Sequence, residues 1–490
     1  MVQIQFDNSY ARLPERFFSR QAPEPVANPS LIKINQPLAE RLNINTDWLS
    51  SQAGVAMLSG NALPDGSDPI ATVYAGHQFG SWNPQLGDGR AVLLGEIIGK
   101  DTERYDLQLK GAGQTPYSRM GDGRSPLGPV LREYLISEAM AALNIPTSRA
   151  LAAVTTGETV YREEALPGAV LARVARSHIR IGTLQYFAAR EDHEALRLIV
   201  EHVLKRHFPK TEREGNPALS LLNAVMQAQA KLIVQWQMVG FIHGVMNTDN
   251  MLLSGETIDY GPCAFIDNYD PETVFSSIDH GGRYAYRNQP GIAHWNLACL
   301  AQALVPIISD DSDEAIEHAK TSLDRFPQYF LDANVRGLRA KLGLESEHAE
   351  DEKMAKDFLD LLERERADFT LAFRRLSEIA GPELEQRLSV REVFDFGPAY
   401  NNWLKAWQER CAKERDQERQ KKMLKTNPAI IPRNHLVEAM IQTASETNDY
   451  SSFDSLHNAL TDPFSLAGAD PKFIQPPRPD QIVRQTFCGT

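Results

Sequence analysis

The segment His243–Gly261, HGVMNTDNMLLSGETIDYG, holds the densest set of residues able to do chemistry. Asp249 and Asn250 stand side by side, and a short apolar run separates them from Asp259 in an Asp-Tyr-Gly. An amide oxygen and a carboxylate are hard ligands for Mg²⁺, and two of them leave coordination positions for water and phosphate oxygens. The chemistry this pattern suits is phosphoryl or nucleotidyl transfer, although a polar turn between buried strands would carry similar residues. Upstream, Gly-Asp-Gly-Arg occurs twice, at 87–90 and 121–124. Flexible glycines, backbone N–H donors and a guanidinium allow close approach to a polyphosphate. Both copies are therefore candidates to approach a polyphosphate. The same tripeptide is also a common hairpin turn. Arg173, Arg176 and Arg180 fall within RVARSHIRIG, and this cluster of cations in an acidic chain points to an anion. The planar fork of arginine suits phosphate oxygens. His178, among them, reads as structural.

The order of these residues parallels that of protein kinases. There a strand-end lysine pairs with a helix glutamate, and a catalytic-loop Asn and a DFG Asp hold metal. Lys110 ends the run YDLQLK, and Glu133 falls at the opening of the next helical stretch, where its partner would stand. One part is missing. A kinase carries its base two residues after the loop histidine, and here that position is Val245. Asp249 is the nearest carboxylate able to take a proton from an attacking hydroxyl. His243 is left to fix the loop by hydrogen bonds.

The elements that must position these residues are legible from periodicity. Prolines 14, 23, 25, 29 and 37 break the first stretch, leaving one short helix over Pro37–Leu42. Glycines then punctuate β-prone runs, ATVY, RAVLLGEII and YDLQLK, as expected for a twisted antiparallel sheet. Val130, Leu131, Tyr134, Leu135, Ala139 and Leu143 recur at helical spacing and predict a helix over Leu127–Leu143, stopped by Pro146. Three more strands are expected in ALAAVTT, TVYREEA and AVLARVA. Helices follow over Glu194–Phe208 and Ala218–Val239, and dominate to about residue 446. The stretch KERDQERQKKMLK reads as a solvated helix face, and the last thirty or so residues, rich in Pro and Asp, as a surface drape. The predicted class is α+β, a protein-kinase-like bilobal fold with a hairpin bearing Asn250 and Asp259 at the hinge. Its divisions are an N-terminal extension wrapping the core (1–70), a β-rich nucleotide-binding lobe (71–190), a helical lobe with catalytic loop and metal site (191–446), and a tail (447–490).

With 490 residues the chain is too long for one small core, and its 42% hydrophobic and 23% charged residues are ordinary for a globular protein. A net charge of −13 argues against nucleic-acid or anionic-membrane partners, which need a basic face. The uncharged run Asn288–Ser309 contains Gln289, His294, Asn296 and Gln302, and so predicts a buried helix rather than a membrane span. The N-terminus shows no signal- or transit-peptide pattern, which makes the cytoplasm the expected location. Cys263, Cys299, Cys411 and Cys488 have no zinc-type spacing. Cys488 is the candidate redox thiol, because a thiol near a chain end is accessible.

Long strings then carry a resemblance: NSYARLPERFF, YAGHQFGSWNPQLGDGRAVLLGE, LKGAGQTPYSRMGDGRSPLGPVLREYLISEAM, RVARSHIRIGT, GFIHGVMNTDNM, IDYGPCAFID and NQPGIAHWNLACLAQAL. In these the chain resembles the selenoprotein O family of protein adenylyltransferases, pseudokinases, over nearly its whole length. The resemblance implies ATP bound in a flipped orientation, with the γ-phosphate buried and the α-phosphate facing the acceptor. It implies transfer of AMP, or UMP from UTP, to Ser, Thr or Tyr hydroxyls of proteins, with release of pyrophosphate. By the same resemblance Gly87, Gly89, Arg90, Asp122 and Gly123 contact nucleotide, and Lys110, with partner Glu133, holds phosphate. Arg173 and Arg180 hold the inverted triphosphate, and Asp249 accepts the proton. Asn250 and Asp259 bind Mg²⁺ or Mn²⁺, and Asp259 also touches ATP. Redox control in the family involves a terminal cysteine, which Cys488 matches; its partner among the other three stays open. A kinase transferring the γ-phosphate and a non-catalytic ATP-binding scaffold are the alternatives.

Overall fold

The computed structural model describes residues 4–211, 215–381, 397–414 and 416–487. Strands run in chain order as β1 (Phe18–Arg20), β2 (Ser30–Ile34), β3 (Ile70–Thr72), β4 (Gly76–Gln78), β5 (Ser81–Asn83), β6 (Ala91–Ile98), β7 (Arg104–Lys110), β8 (Ser125–Pro126), β9 (Arg149–Tyr161), β10 (Ala165–Ala175), β11 (Phe241–Ile242) and β12 (Ala264–Phe265). The main sheet is antiparallel in the order β1-β3-β6-β7-β10-β9-β2, with β8 beside β10. The first 34 residues thus supply both outer strands of the path. ALAAVTT and the start of TVYREEA form one long strand, β9, rather than two; β9 keeps pairing with β10 past Gly157 as far as Tyr161.

Alternation along β7 and β10 sorts the two faces of the sheet. Leu107, Leu109, Val170, Ala172 and Val174 pack with Leu38, Leu42, Leu49, Met57 and Leu58 from helices α1 (Gln36–Arg41), α2 (Thr46–Ser50) and α3 (Gln52–Ser59). The intervening residues face α4 (Leu127–Ala142). Register puts Arg173 opposite Gln108, and Leu171 opposite Lys110. The polar residues of the site therefore occupy the face that α4 covers. A one-residue slip would send them into the apolar layer on the other side. The far side of α4 is covered in turn by the helices Asn434–Thr447 and Ser451–Leu460, through Val437, Met440, Phe453 and Leu456. Helical structure thus continues past residue 446.

The rest is mainly helical and the fold is α+β. Helices α5 (Ile181–Ala188), α6 (His193–His207), α7 (Pro217–Met238) and α8 (Gln289–Ile308) share the largest apolar cluster. The side chain of Asn216 caps α7 by accepting from the N–H groups of Ala218 and Leu219, and Pro217 stands where no N–H is needed. With the preceding turn from Tyr286, α8 is long and apolar enough to cross a membrane by length and composition. Half of it is buried against the protein, between α5, α7 and α9 (Ser312–Leu323). The stretch 471–487 forms two short 3-10 turns and then returns to the body: Thr486 is buried, and its N–H donates to Phe275 O at 2.7 Å. Cys488 lies outside the described residues, and Cys263, Cys299 and Cys411 are buried.

Candidate active site

The loop after α7 is caged by buried polar side chains from the two helices that flank it in sequence. From α8, Gln289 donates to Phe241 O (3.0 Å) and accepts from His243 N (3.1 Å), while Asn296 donates to Met246 O (2.9 Å). From α7, Gln229 donates to Leu252 O (2.8 Å) and Trp236 donates to Thr257 Oγ1 (2.9 Å). Buried backbone carbonyls need such partners, because an unpaired one costs about 1–3 kcal/mol. His243 donates from Nε2 to Ile258 O (2.9 Å) and accepts Val245 N–H on Nδ1 (3.3 Å), so it ties the two limbs of the loop together. Burial holds its pKa below the usual histidine range, which suits a neutral ring with one donor and one acceptor. The expected hairpin between Asn250 and Asp259 is absent among the described residues. Asp249 and Asn250 sit in a 3-10 turn (Thr248–Asn250), and the β11–β12 pair brackets the whole segment instead.

Beyond the loop, 149 residues back in sequence, Lys110 donates to Asp259 Oδ1 at 2.6 Å and to Glu133 Oε2 at 2.6 Å. Arg173 spans the same two carboxylates, at 2.7 Å from Asp259 and 2.9 Å from Glu133, and is steadied by Gln108 Oε1 at 2.6 Å. Arg180 approaches Asp259 Oδ2 at 3.6 Å and Asp88 Oδ1 at 3.3 Å, with its guanidinium 4.3 Å from the Tyr74 ring. Three cations thus face three carboxylates, with Asp259 the most exposed of the six at 23%. Burial alone would raise Asp259, but Lys110, Arg173 and Arg180 outweigh it and hold the carboxyl well below its usual range. Glu133 is likewise lowered: burial opposes ionisation, and Lys110 and Arg173 overcome it. Asp259 also sits at φ +61°, unusual for a residue with a side chain and held here by the surrounding ion pairs. Glu133 lies in the second turn of α4 rather than at its opening.

Apart from Gln108, these groups line one cavity of about 660 Å³, within the range of small-molecule sites. Its wall includes Gly87, Gly89, Arg90, Lys110, Asp122, Gly123, Glu133, Arg173, Arg180, Asp249, Asn250 and Asp259. The described site residues expected from the sequence are brought together there with one exception, and Cys488 lies outside the described residues. Arg176 is the exception; its N–H donates to Glu256 (3.0 Å) and its guanidinium faces Glu103 (3.5 Å), so only two of the three clustered arginines reach the cavity. The inner end is cationic and buried, with Arg173 and Arg180 each 2% exposed; Met120 and Ile278 are exposed on the lining.

The two Gly-Asp-Gly-Arg copies owe their glycines to packing as well as to any ligand. A Cβ on Gly87 would strike the Tyr117 ring, and one on Gly89 would meet Tyr117 O at 2.8 Å. Gly123, at φ +67°, lies against the Gly113 carbonyl, where a Cβ has no room. The loop 111–126 therefore folds down onto the first copy. Asp122 is engaged by Arg162 (2.8 and 3.0 Å). Asp88, inside the first copy, is a residue the sequence reading passed over. It is 2% exposed, accepts from Thr72 N at 3.0 Å and anchors Arg180. Gln108 and Tyr74 were missed likewise, because nothing in YDLQLK or ATVY distinguishes them from ordinary strand residues.

Asp249 differs from the other carboxylates. Burial raises its pKa to about 6, against the lowering effect of the Gln78 amide, which donates to Oδ2 at 3.0 Å. Its Oδ1 has no partner. Asn250 donates through Nδ2 to Val245 O at 2.9 Å, which turns its amide oxygen to the opposite side. Among the described residues no group of three or more His, Cys, Asp or Glu could hold a metal ion by itself. Asn250 and Asp259 fit a Mg²⁺ whose remaining ligands are phosphate oxygens and water, the usual case for that ion.

This α+β fold with its cation-lined cavity is that of a nucleotidyltransferase enzyme, as comparison with known proteins bears out. A family model described as "Protein adenylyltransferase SelO" matches residues 1–461, and the chain belongs to that family. Similar proteins include one named "Protein nucleotidyltransferase YdiU" from Rhodopseudomonas palustris (strain BisB5), 55% identical with both chains fully covered. Proteins of the same name from Bradyrhizobium sp. (strain ORS 278) and Rhizobium etli are 55% and 53% identical, the latter over 99% of this chain and 97% of its own.

Proposed function

We propose that the enzyme transfers AMP from ATP to Ser, Thr or Tyr hydroxyls of other proteins and releases pyrophosphate, with ATP seated γ-phosphate inward. The observation that carries this reading is the position of the cations. Lys110, Arg173 and Arg180 converge on Asp259 at one end of the cavity, while Asp249, on the 3-10 turn, forms no ion pair with any of the three. The most highly charged end of a triphosphate belongs among the buried cations, where electrostatic stabilisation is strongest. The α-phosphate then faces Asp249. The acceptor oxygen attacks the α-phosphorus, its proton passes to Asp249, and the bond from the α-phosphorus to the bridging oxygen breaks. The departing pyrophosphate keeps that electron pair, and Lys110, Arg173 and Arg180 receive its charge. Asn250 and Asp259 would hold Mg²⁺ or Mn²⁺, which supplies Lewis-acid neutralisation of phosphate oxygens. Nucleotide entry must loosen Asp259 from at least one of its three cations, and the phosphates replace it as their counter-charge.

Seen this way, the sheet half and the helical half are the two lobes of a kinase-like enzyme, with the site between them and the base supplied from the 3-10 turn rather than from the position of Val245. UTP in place of ATP would give UMP transfer by the same geometry. The test is mass spectrometry of the purified chain and an added acceptor protein after incubation with ATP and Mg²⁺. An AMP adduct that Asp259→Ala abolishes supports the reading. A phosphate adduct means γ-transfer by a kinase, and ATP binding without any adduct means a scaffold; either overturns it.

A further inference from the structure

The short hairpin β4–β5 packs against the candidate site. It lies on the turn that carries Asp249. His77 N–H donates to Thr248 Oγ1 at 2.7 Å, and Phe79 N–H donates to Asn247 Oδ1 at 2.9 Å. Tyr284 OH reaches the same Asn247 oxygen at 2.6 Å, and Gln185 Nε2 meets His77 Nδ1 at 2.9 Å. The contact is close enough that a Cβ on Gly76 would come within 2.7 Å of Asp249 Oδ1. Gln78, also on the cavity wall, is the residue of this hairpin whose side chain touches the carboxylate, through its 3.0 Å bond to Oδ2.

We propose that Gln78 is a positioning residue for proton transfer: clamped by its hairpin onto the 248–250 turn, its amide fixes the rotation of the Asp249 carboxylate toward the acceptor hydroxyl. This rests on the reading of Asp249 as proton acceptor. A carboxylate against a glycine on one side and without other side-chain hydrogen bonds rotates freely about its last bond unless one oxygen is tethered, and a proton acceptor needs its geometry set before the hydroxyl arrives.

The experiment compares wild type, Gln78→Met, Asp249→Asn and the double variant, with pyrophosphate release from MgATP followed in the presence of casein as acceptor. Methionine keeps the volume and length of glutamine and removes the donor. We expect Gln78→Met to lower kcat about ten-fold, the loss of a hydrogen bond to a charged group. Its Kd for ATP stays within about two-fold of wild type, which also shows that the site is folded. In the Asp249→Asn background the same change costs nothing further, because residues acting through one group are non-additive. Wild-type kcat in Gln78→Met overturns the proposal, as does full additivity in the double variant, or a loss confined to ATP affinity. If Asp249→Asn itself keeps full activity, the base assignment fails and Gln78 falls with it. A slow Asp249→Asn beside an unaffected Gln78→Met removes only the inference about Gln78.

Discussion

Burial of Asp249 makes a prediction that activity and stability must obey together. Its pKa is raised from 3.8 to about 6. Below that value the group is protonated and accepts no proton from a hydroxyl. The ionised fraction is about 97% at about pH 7.5 and about 9% at about pH 5. The kcat/KM for transfer, which reports the free enzyme, should therefore fall roughly eleven-fold across that window. An ordinary aspartate would stay almost fully ionised at both ends. Stability runs the opposite way. The folded value lies above the unfolded one, so the favourable contribution of this group is present below 3.8 and lost as pH rises through about 6. Asp249→Asn removes the penalty of a buried charge. It should raise the melting temperature near neutral pH by the equivalent of at most about 3 kcal/mol and change nothing below about pH 4, while slowing transfer about 10²–10⁴-fold. The assays are initial-rate pyrophosphate release against pH, with ATP affinity measured in parallel to separate nucleotide protonation, and thermal melts of both proteins at each pH. A flat kcat/KM profile from about pH 5 to about pH 7.5 would refute the reasoning. So would a variant that is inactive yet less stable near neutrality.

Glu133→Gln leaves Lys110 and Arg173 with Asp259 as the remaining carboxylate between them. We expect a loss of about 3–5 kcal/mol in stability by denaturant titration, as for other broken buried ion pairs, together with weakened ATP binding. Gly123→Ala places a Cβ against the Gly113 carbonyl at a positive φ. It should destabilise the 111–126 loop by more than about 1 kcal/mol and raise KM for ATP, whereas Gly121→Ala, which meets no atom nearer than 3.1 Å, should have little effect on either. Chelation with EDTA should abolish transfer and addition of Mg²⁺ or Mn²⁺ restore it. Asp259→Ala should not be restored by either ion, since Asn250 remains as the lone protein ligand; activity rescued by excess metal in that variant would count against the assignment.

Much of the site could be read from residue types alone. Asn250 and Asp259 stand out as candidates because few side chains suit a hard cation, and the pairing of Lys110 with Glu133 was expected because a cation closing an apolar strand invites a counter-charge. Helix α4 was legible from its apolar spacing, and α8 from the amides within an uncharged run. Those amides proved to hold the loop after α7. What the sequence could not decide was which of several equivalent residues face the cavity. Arg173, Arg176 and Arg180 are chemically alike in a string. Only the antiparallel register of β7 with β10 brings Arg173 onto the face of Lys110, and only the turn into α5 swings Arg180 toward Asp259 while Arg176 points to Glu103. The glycines of the two repeats likewise looked like phosphate-binding turns, and the structure adds that they are small because one loop lies on the other. Asp88, Gln108 and Gln78 carry no local signature at all. Their roles arise from contacts 16 to 171 residues apart in sequence. Residue chemistry therefore determined what kind of ligand the protein can hold. The tertiary structure decided which carboxylate is neutralised by cations and which is left buried with its pKa raised, because a pKa depends on neighbours that only folding assembles.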